Sequence, residues 1–192
     1  RLNERIGALL DFARPFEPVL RITSLNEIAE RALHGIRQKA AGKGVSLTFE
    51  ASEDLPPISV DPVLFEEAAA ELISNAIEIT PAEGSVTVRT GHLLNGRSRG
   101  LVASAGSCVW LEVTDTGPGF RLDKRDRLFD IFFTTKPGGT GFGLATVKKI
   151  VERHGGSVSA DNVKPTGAKF RIELPVREGG SGSSDLSEPR SA

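Results

Sequence analysis

Methionine is absent from the 192-residue sequence and cysteine occurs once, as Cys108. A lone cysteine excludes an intrachain disulfide framework and a multi-cysteine metal site, and makes a reducing cytoplasm the expected location. With no methionine and Arg1 at the start, the chain is expected to be a piece of a longer protein, with any sensor, membrane or targeting segment upstream. No apolar run reaches the roughly 20 residues of a bilayer span, and the N-terminus lacks the apolar core of a signal peptide. Neither sign of charge is in excess: the formal net charge is -1, which excludes a nucleic-acid or membrane-surface binder held by bulk electrostatics. Phosphate binding, if present, has to be local. The length suits one domain with some flanking chain.

What is present is patterned. Leu2, Ile6, Leu9, Leu10 and Ala13 recur at helical spacing until Pro15 and Pro18 stop them. This predicts an amphipathic helix whose stripe packs on another helix, a dimer partner being one candidate. Ser24 with Glu27 is a capping-box signature for a helix burying Leu25, Ile28, Ala29, Ala32, Leu33 and Ile36, running to about Ala41 and ended by Gly42 and Gly44. Val45, Leu47 and Phe49 alternate as a strand, and Ile58 and Val60 lead into Asp61-Pro62, a helix start by N-cap and N1 preferences. That helix runs from Val63 to about Ile79. Val86 and Val88 read as a strand, Gly91 to Gly106 as an enlarged hairpin loop containing His92, and Val109, Leu111 and Val113 as its partner strand.

From Asp115 to Gly143 glycine, proline and threonine surround an apolar knot at Leu128, Phe129, Ile131, Phe132 and Phe133. So long an irregular stretch inside a domain marks function or mobility. A last helix from Leu144 to about His154 is ended by Gly155 and Gly156, and Val158 to Ala160 pairs with Phe170 to Leu174. Residues 177–192 are too poor in apolar side chains to fold and are expected as a disordered tail.

Three clusters carry chemistry. Glu71 and Asn75 project one turn apart from one helix face, an oxygen pair suited to a hard cation such as magnesium; the competing reading is a solvated polar face. Asp115, Gly117 and Gly119 follow a strand, where a carboxylate can accept from an amino group such as that of adenine and glycines let a flat ring approach; the competing reading is a turn. Gly138, Gly139, Thr140, Gly141, Phe142 and Gly143 end at a helix N-terminus, an arrangement that binds anions, unless the glycines form a plain hinge. Lys136 can add a point charge. The spacing fits neither the dinucleotide fingerprint nor a Walker A loop.

In this order the clusters resemble the Bergerat-type nucleotide-binding domain shared by histidine kinases, the ninety-kilodalton heat-shock chaperones, type II topoisomerases and mismatch-repair ATPases. Glu71 to Ala76 looks like the N box, Asp115 to Gly119 the G1 box, Phe129 to Phe133 the F box and Gly139 to Gly143 the G2 box. Leu128 to Gly156 is particularly similar to sensor histidine kinases of the nitrogen-regulatory type. Leu9 to Pro15 looks like the end of their dimerisation and phosphotransfer hairpin.

The resemblance implies a two-layer α/β sandwich with helices on one face of a mixed sheet and an N-terminal helix remnant. Residues 1–18 would end the hairpin, and residues 19–176 would form the catalytic ATP-binding domain, with a lid from about Phe120 to Gly139. It implies Asn75 as the magnesium ligand, Asp115 on the adenine amino group, Gly117 and Gly119 as pocket wall, and Thr140, Gly141, Gly143 and Leu144 on the phosphate side. Phe132 and Phe133 would anchor the lid by packing. Lys136 stays open between phosphate contact and solvated lid charge. Glu71 is the candidate catalytic residue: many such kinases have asparagine there, the chaperone and topoisomerase branches a glutamate resembling a general base, and other kinases also an acid, so the branch stays open. Ile131 and Phe142 depart from the common proline and leucine.

The implied reaction is transfer of the γ-phosphoryl group of ATP, with Mg2+, to a histidine upstream of Arg1, in a homodimeric parent that signals to a response regulator. No nucleic-acid or membrane contact is implied for this chain. None of His34, His92 and His154 is followed by the acidic residue and asparagine-proline pair of an acceptor, and all three are expected to be structural. A serine kinase acting on an anti-anti-sigma partner has similar boxes but not the hairpin remnant. A degenerate partner-binding domain would not need all three boxes to keep their polar residues.

Overall fold

The computed structural model describes residues 16–94, 107–136 and 139–176, together with Gly7, Leu9 and Phe12, which are helical. The rest of the expected N-terminal helix, most of the expected hairpin loop, Pro137, Gly138 and the expected tail lie outside the described residues.

Helix α1 (Leu25–Lys43) begins where Ser24 Oγ accepts from the Glu27 N–H at 3.5 Å, and it ends at Gly44, whose φ of 70° suits glycine. Gly42 lies inside the last turn, so only the second of the two expected stop signals ends the helix. Helix α2 (Pro62–Ile79) starts as its Asp-Pro signal predicts: Asp61 Oδ1 accepts from the Val63 and Leu64 N–H groups, and Oδ2 accepts from the Val19 N–H at 2.9 Å. Burial alone would raise the Asp61 carboxyl, but these backbone donors outweigh it and lower its pKa. Helix α3 (Gly143–Arg153) begins one residue before the expected start.

Five strands form one mixed sheet: β2 (Ser46–Glu50), β4 (Ser85–Leu93), β5 (Cys108–Asp115), β6 (Ser157–Asn162) and β7 (Ala168–Pro175), in spatial order β2-β4-β5-β7-β6. Only the β2–β4 pair is parallel. A separate antiparallel pair joins β1 (Arg21–Thr23) to β3 (Ile58–Val60). The first of these three-residue strands is too short to show an alternating pattern in the sequence.

Strand β4 runs on to Leu93 and takes Gly91 and His92 out of the expected loop, opposite Trp110 and Val109. The reason is packing. A Cβ at Gly91 would run into the Trp110 indole, so this glycine makes room for the ring across the ladder. The sheet face that bears Val86, Val88, Val109, Leu111, Val113, Ile172 and Leu174 joins the apolar faces of the three helices in one core. The other face carries Trp110, with the Arg171 guanidinium 4.1 Å from its ring, and the ion pairs of Glu50 with Arg89 and of Glu112 with Arg171 and Lys169. The architecture is therefore the expected two-layer α/β sandwich.

His154, buried at the end of α3, ties the helical layer together. Its Nδ1 donates to the Ile150 carbonyl at 2.7 Å, its Nε2 accepts from the Asp61 N–H at 2.9 Å, and its ring meets Phe65 edge-on. The end of α3 is thus fastened to the start of α2, a fully structural role. Substituting His154→Ala leaves a buried N–H without a partner and opens a cavity. The free energy of unfolding is expected to fall by about 2–4 kcal/mol, read from urea denaturation followed by circular dichroism.

Candidate functional site

Helix α2 buries Phe65, Ala68, Ala69, Leu72, Ile73, Ala76 and Ile77. Only one strip remains for polar side chains, and it carries Glu71, Ser74, Asn75 and Glu78. This strip forms one wall of a cavity of ≈ 280 Å³, closed by Leu128, the Phe133 to Lys136 segment, and Gly139, Thr140, Gly141, Gly143 and Leu144. A second chamber of ≈ 100 Å³ shares Asn75, Leu128, Thr135, Lys136 and Leu144 with the first and continues to Asp115, Gly119, Ala168 and Phe170. Nine of the ten expected site residues line these joined chambers; the tenth, Gly117, does not.

Gly117 acts on Asp115. Its N–H donates to Asp115 Oδ1 at 2.8 Å, and the Ala168 N–H donates to the same oxygen at 3.2 Å. A Cβ at Gly117 would lie 2.9 Å from that oxygen. Asp115 is buried, and its other oxygen, Oδ2, has no partner among the described residues. Burial pushes this carboxyl up, against the two backbone hydrogen bonds. The result is a fixed acceptor at the apolar end of the cleft, suited to an amino group presented by a flat ring.

At the other end, the N-terminus of α3 has no side-chain cap, since the residue before it is Phe142. Its first N–H groups remain available for an anion. The loop leading there is held by the Phe132 N–H, which donates to the Gly141 carbonyl at 3.0 Å. Gly141 has φ 76° and Phe132 φ 67°, so the F box and G2 box meet in a tight backbone crossing that no Cβ at Gly141 would fit. Phe132 also packs edge-on to Phe142 at 5.1 Å, and Phe142 lies 5.9 Å from Phe12. Phe133 carries the Arg127 guanidinium over its ring at 5.2 Å. Between the G1 and F boxes, the expected irregular stretch contains a short 3-10 helix, Leu122–Arg127.

The polar strip of α2 is electrostatically crowded. Glu71 is raised by burial and by the neighbouring charges of Glu67 and Glu78, against the pull of Lys136 and Lys39. A Cβ on Gly143 would lie 2.6 Å from Glu71 Oε2, so the carboxylate sits against the first turn of α3. Lys136 reaches across from the segment that follows Phe133, and its Nζ donates to Asn75 Oδ1 and Glu78 Oε2, both at 2.6 Å. Lys39, from α1, donates to Glu78 Oε1 at 2.5 Å and Ser74 Oγ at 2.6 Å. Burial would raise Glu78, but the two ammonium groups outweigh it and hold the carboxyl at about 2. Ser74 and Glu78 were not singled out from the sequence, although both share the helical face of Glu71 and Asn75.

No cluster of three or more His, Cys, Asp or Glu side chains suited to a metal occurs among the described residues. The oxygens of Asn75 and Glu71 on one strip nevertheless fit magnesium, which takes few protein ligands and completes its shell with water and phosphate. Asn75 Oδ1 already faces a cation, the Lys136 ammonium.

The sandwich, with the carboxylate at the end of β5 and the uncapped start of α3 on one cleft, has the form of an ATPase-type nucleotide domain. The chain belongs to the family described as histidine kinase-, DNA gyrase B-, and HSP90-like ATPase, whose profile matches residues 60–178. Within that family it is similar to sensor histidine kinases. The sensor histidine kinase ZraS of Salmonella typhi is 35% identical over 176 residues, which is 92% of this chain and 36% of that protein. The crystal structure of full-length ShkA in complex with AMPPNP superposes with a TM-score of 0.75 at 26% identity, covering 92% of this chain and 36% of that one. The nucleotide-free catalytic domain of histidine kinase ThkA superposes with a TM-score of 0.69 at 25% identity, covering 81% and 95%. The chain spans about a third of the length of the curated relatives it matches. No helix among the described residues is long and apolar enough to cross a membrane.

Since the folded state raises the Glu71 pKa, the ionised form costs stability above that pKa, and the cost vanishes as pH falls below the unfolded value near 4.5. Glu71→Gln is therefore expected to unfold at higher urea than the wild type at pH 7.5. The gain should shrink as the pH is lowered toward 4.5 in parallel denaturation series.

Proposed function

We propose that this chain is the part of a cytoplasmic sensor kinase that binds ATP with magnesium and presents the γ-phosphoryl group to a histidine on a dimerisation and phosphotransfer hairpin of the same homodimeric protein, from which a response regulator takes it. Residues 1–18 would be the end of that hairpin and residues 19–176 the catalytic domain. The observation that carries the reading is Asp115: buried, with one oxygen fixed by two backbone N–H groups and the other unpartnered at the apolar end of the cleft. An adenine amino group supplies the donor that this oxygen lacks.

With the base seated there, Gly119 forms the wall beside it, and Thr140, Gly141, Gly143 and Leu144 hold the phosphates at the N-terminus of α3. Asn75 holds magnesium, which when bound neutralises charge on the phosphate oxygens. Lys136, hydrogen-bonded to Asn75 and lining the same cavity, would add its charge to those phosphates. Glu71, with its pKa raised by burial and by neighbouring carboxylates, acts as the acid-base residue beside the phosphate end. The three histidines do not serve as acceptor in this reading. Both ring nitrogens of His154 are committed to backbone groups, His92 is part of β4, and His34 lies exposed on α1 without the acceptor motif.

Calorimetric titration with a non-hydrolysable ATP analogue and magnesium tests this. The wild type is expected to bind, and Asp115→Ala to bind at least about tenfold more weakly through loss of a buried charge-assisted hydrogen bond. A folded wild type that does not bind, or equal affinity in the two proteins, overturns it.

A further inference from the structure

We infer that Glu78 is a positioning residue that sets the affinity for the magnesium-nucleotide complex, by holding the Lys136 ammonium on the Asn75 oxygen that the metal has to occupy. The inference rests on the assignment of Asn75 as the magnesium ligand. The geometry is a three-point contact. Lys136 Nζ lies 2.6 Å from Asn75 Oδ1 and 2.6 Å from Glu78 Oε2, linking the lid segment to α2. Asn75 and Glu78 are three residues apart on the helix, so both face the ammonium together.

A lysine ammonium and a magnesium ion compete for one amide oxygen, because both are cations and each needs the same lone pairs. Seating the metal therefore requires Lys136 to leave Asn75, and Glu78 opposes that departure. The binding-competent population is the fraction in which Lys136 has moved away, and the apparent dissociation constant is raised by that fraction.

Lys39 gives the arrangement a second control. Its Nζ sits 2.5 Å from Glu78 Oε1, the oxygen that Lys136 does not use, so one carboxylate is divided between two ammonium groups. Removing Lys39 leaves Lys136 as the one ammonium on Glu78 among the described residues and tightens its hold. Removing the charge of Glu78 loosens it. Loss of helix packing would move both variants the same way, whereas this arrangement tightens binding in Glu78→Gln and does not tighten it in Lys39→Gln. The Lys136 side chain is 28% exposed and that of Glu78 42%, so solvent screens the pair and the effect is modest.

The test is calorimetric titration of AMPPNP at a series of magnesium concentrations into the wild type, Glu78→Gln and Lys39→Gln, each first shown folded by circular dichroism. Glu78→Gln is expected to lower the dissociation constant of the magnesium-dependent complex by about twofold to fivefold. Lys39→Gln is expected to leave it unchanged or raise it. Unchanged or weaker binding by Glu78→Gln overturns the inference, with weaker binding assigning Glu78 to the metal itself; tighter binding by both variants overturns it as well. A wild type that binds while the variants fail this pattern leaves the nucleotide reading intact. A folded wild type that binds no AMPPNP defeats that reading and the competition together.

Discussion

The burial of α2 is the constraint on which the rest depends. It packs between its two neighbouring helices and the sheet, and the alanines at 68, 69 and 76 let those neighbours approach closely. What is left is one narrow strip, and every polar group that α2 contributes to the cleft comes from it. The cleft is therefore a by-product of core packing. Its two ends are fixed by elements that pack on the same helix: the end of β5, which delivers Asp115, and the start of α3, which delivers the free N–H groups. The bond from Asp61 to His154 fastens the end of α3 to the start of α2.

Much of this was legible in the residues. Asp61-Pro62 and Ser24 announced their helices because capping is local chemistry, and residues of all three polar clusters line the folded cleft. The misreadings came from interactions remote in sequence. Gly91 read as punctuation because its role, making room for Trp110, is visible only across the ladder. Glu78 lies just past the end of the N-box motif and drew no notice. Its partner, Lys136, is 58 residues away, and nothing local in either segment marks the pairing.

The site also shows how function is set against stability. Asp115 and Glu71 are both pushed toward their neutral forms by burial, and among the described residues neither has a counter-ion as close as those of Glu78. A core optimised for stability alone would not keep them. Glu78 lies at the opposite extreme, drawn down by two ammonium groups within the same strip. The strip thus spans carboxylates perturbed in opposite directions within two turns of one helix, a separation of acid-base character typical of functional sites.

Trp110 has one more property. It is the only tryptophan in the chain, and there is no tyrosine at all. The indole lies on the sheet face that the helices leave uncovered, stacked under Arg171 and opposite Gly91. Essentially all of the protein's near-ultraviolet fluorescence therefore arises from one ring, on the far side of the sheet from the cleft. That emission follows the integrity of the β-sheet itself and offers a built-in optical gauge of unfolding, separated by the full thickness of the sheet from the residues that line the pocket.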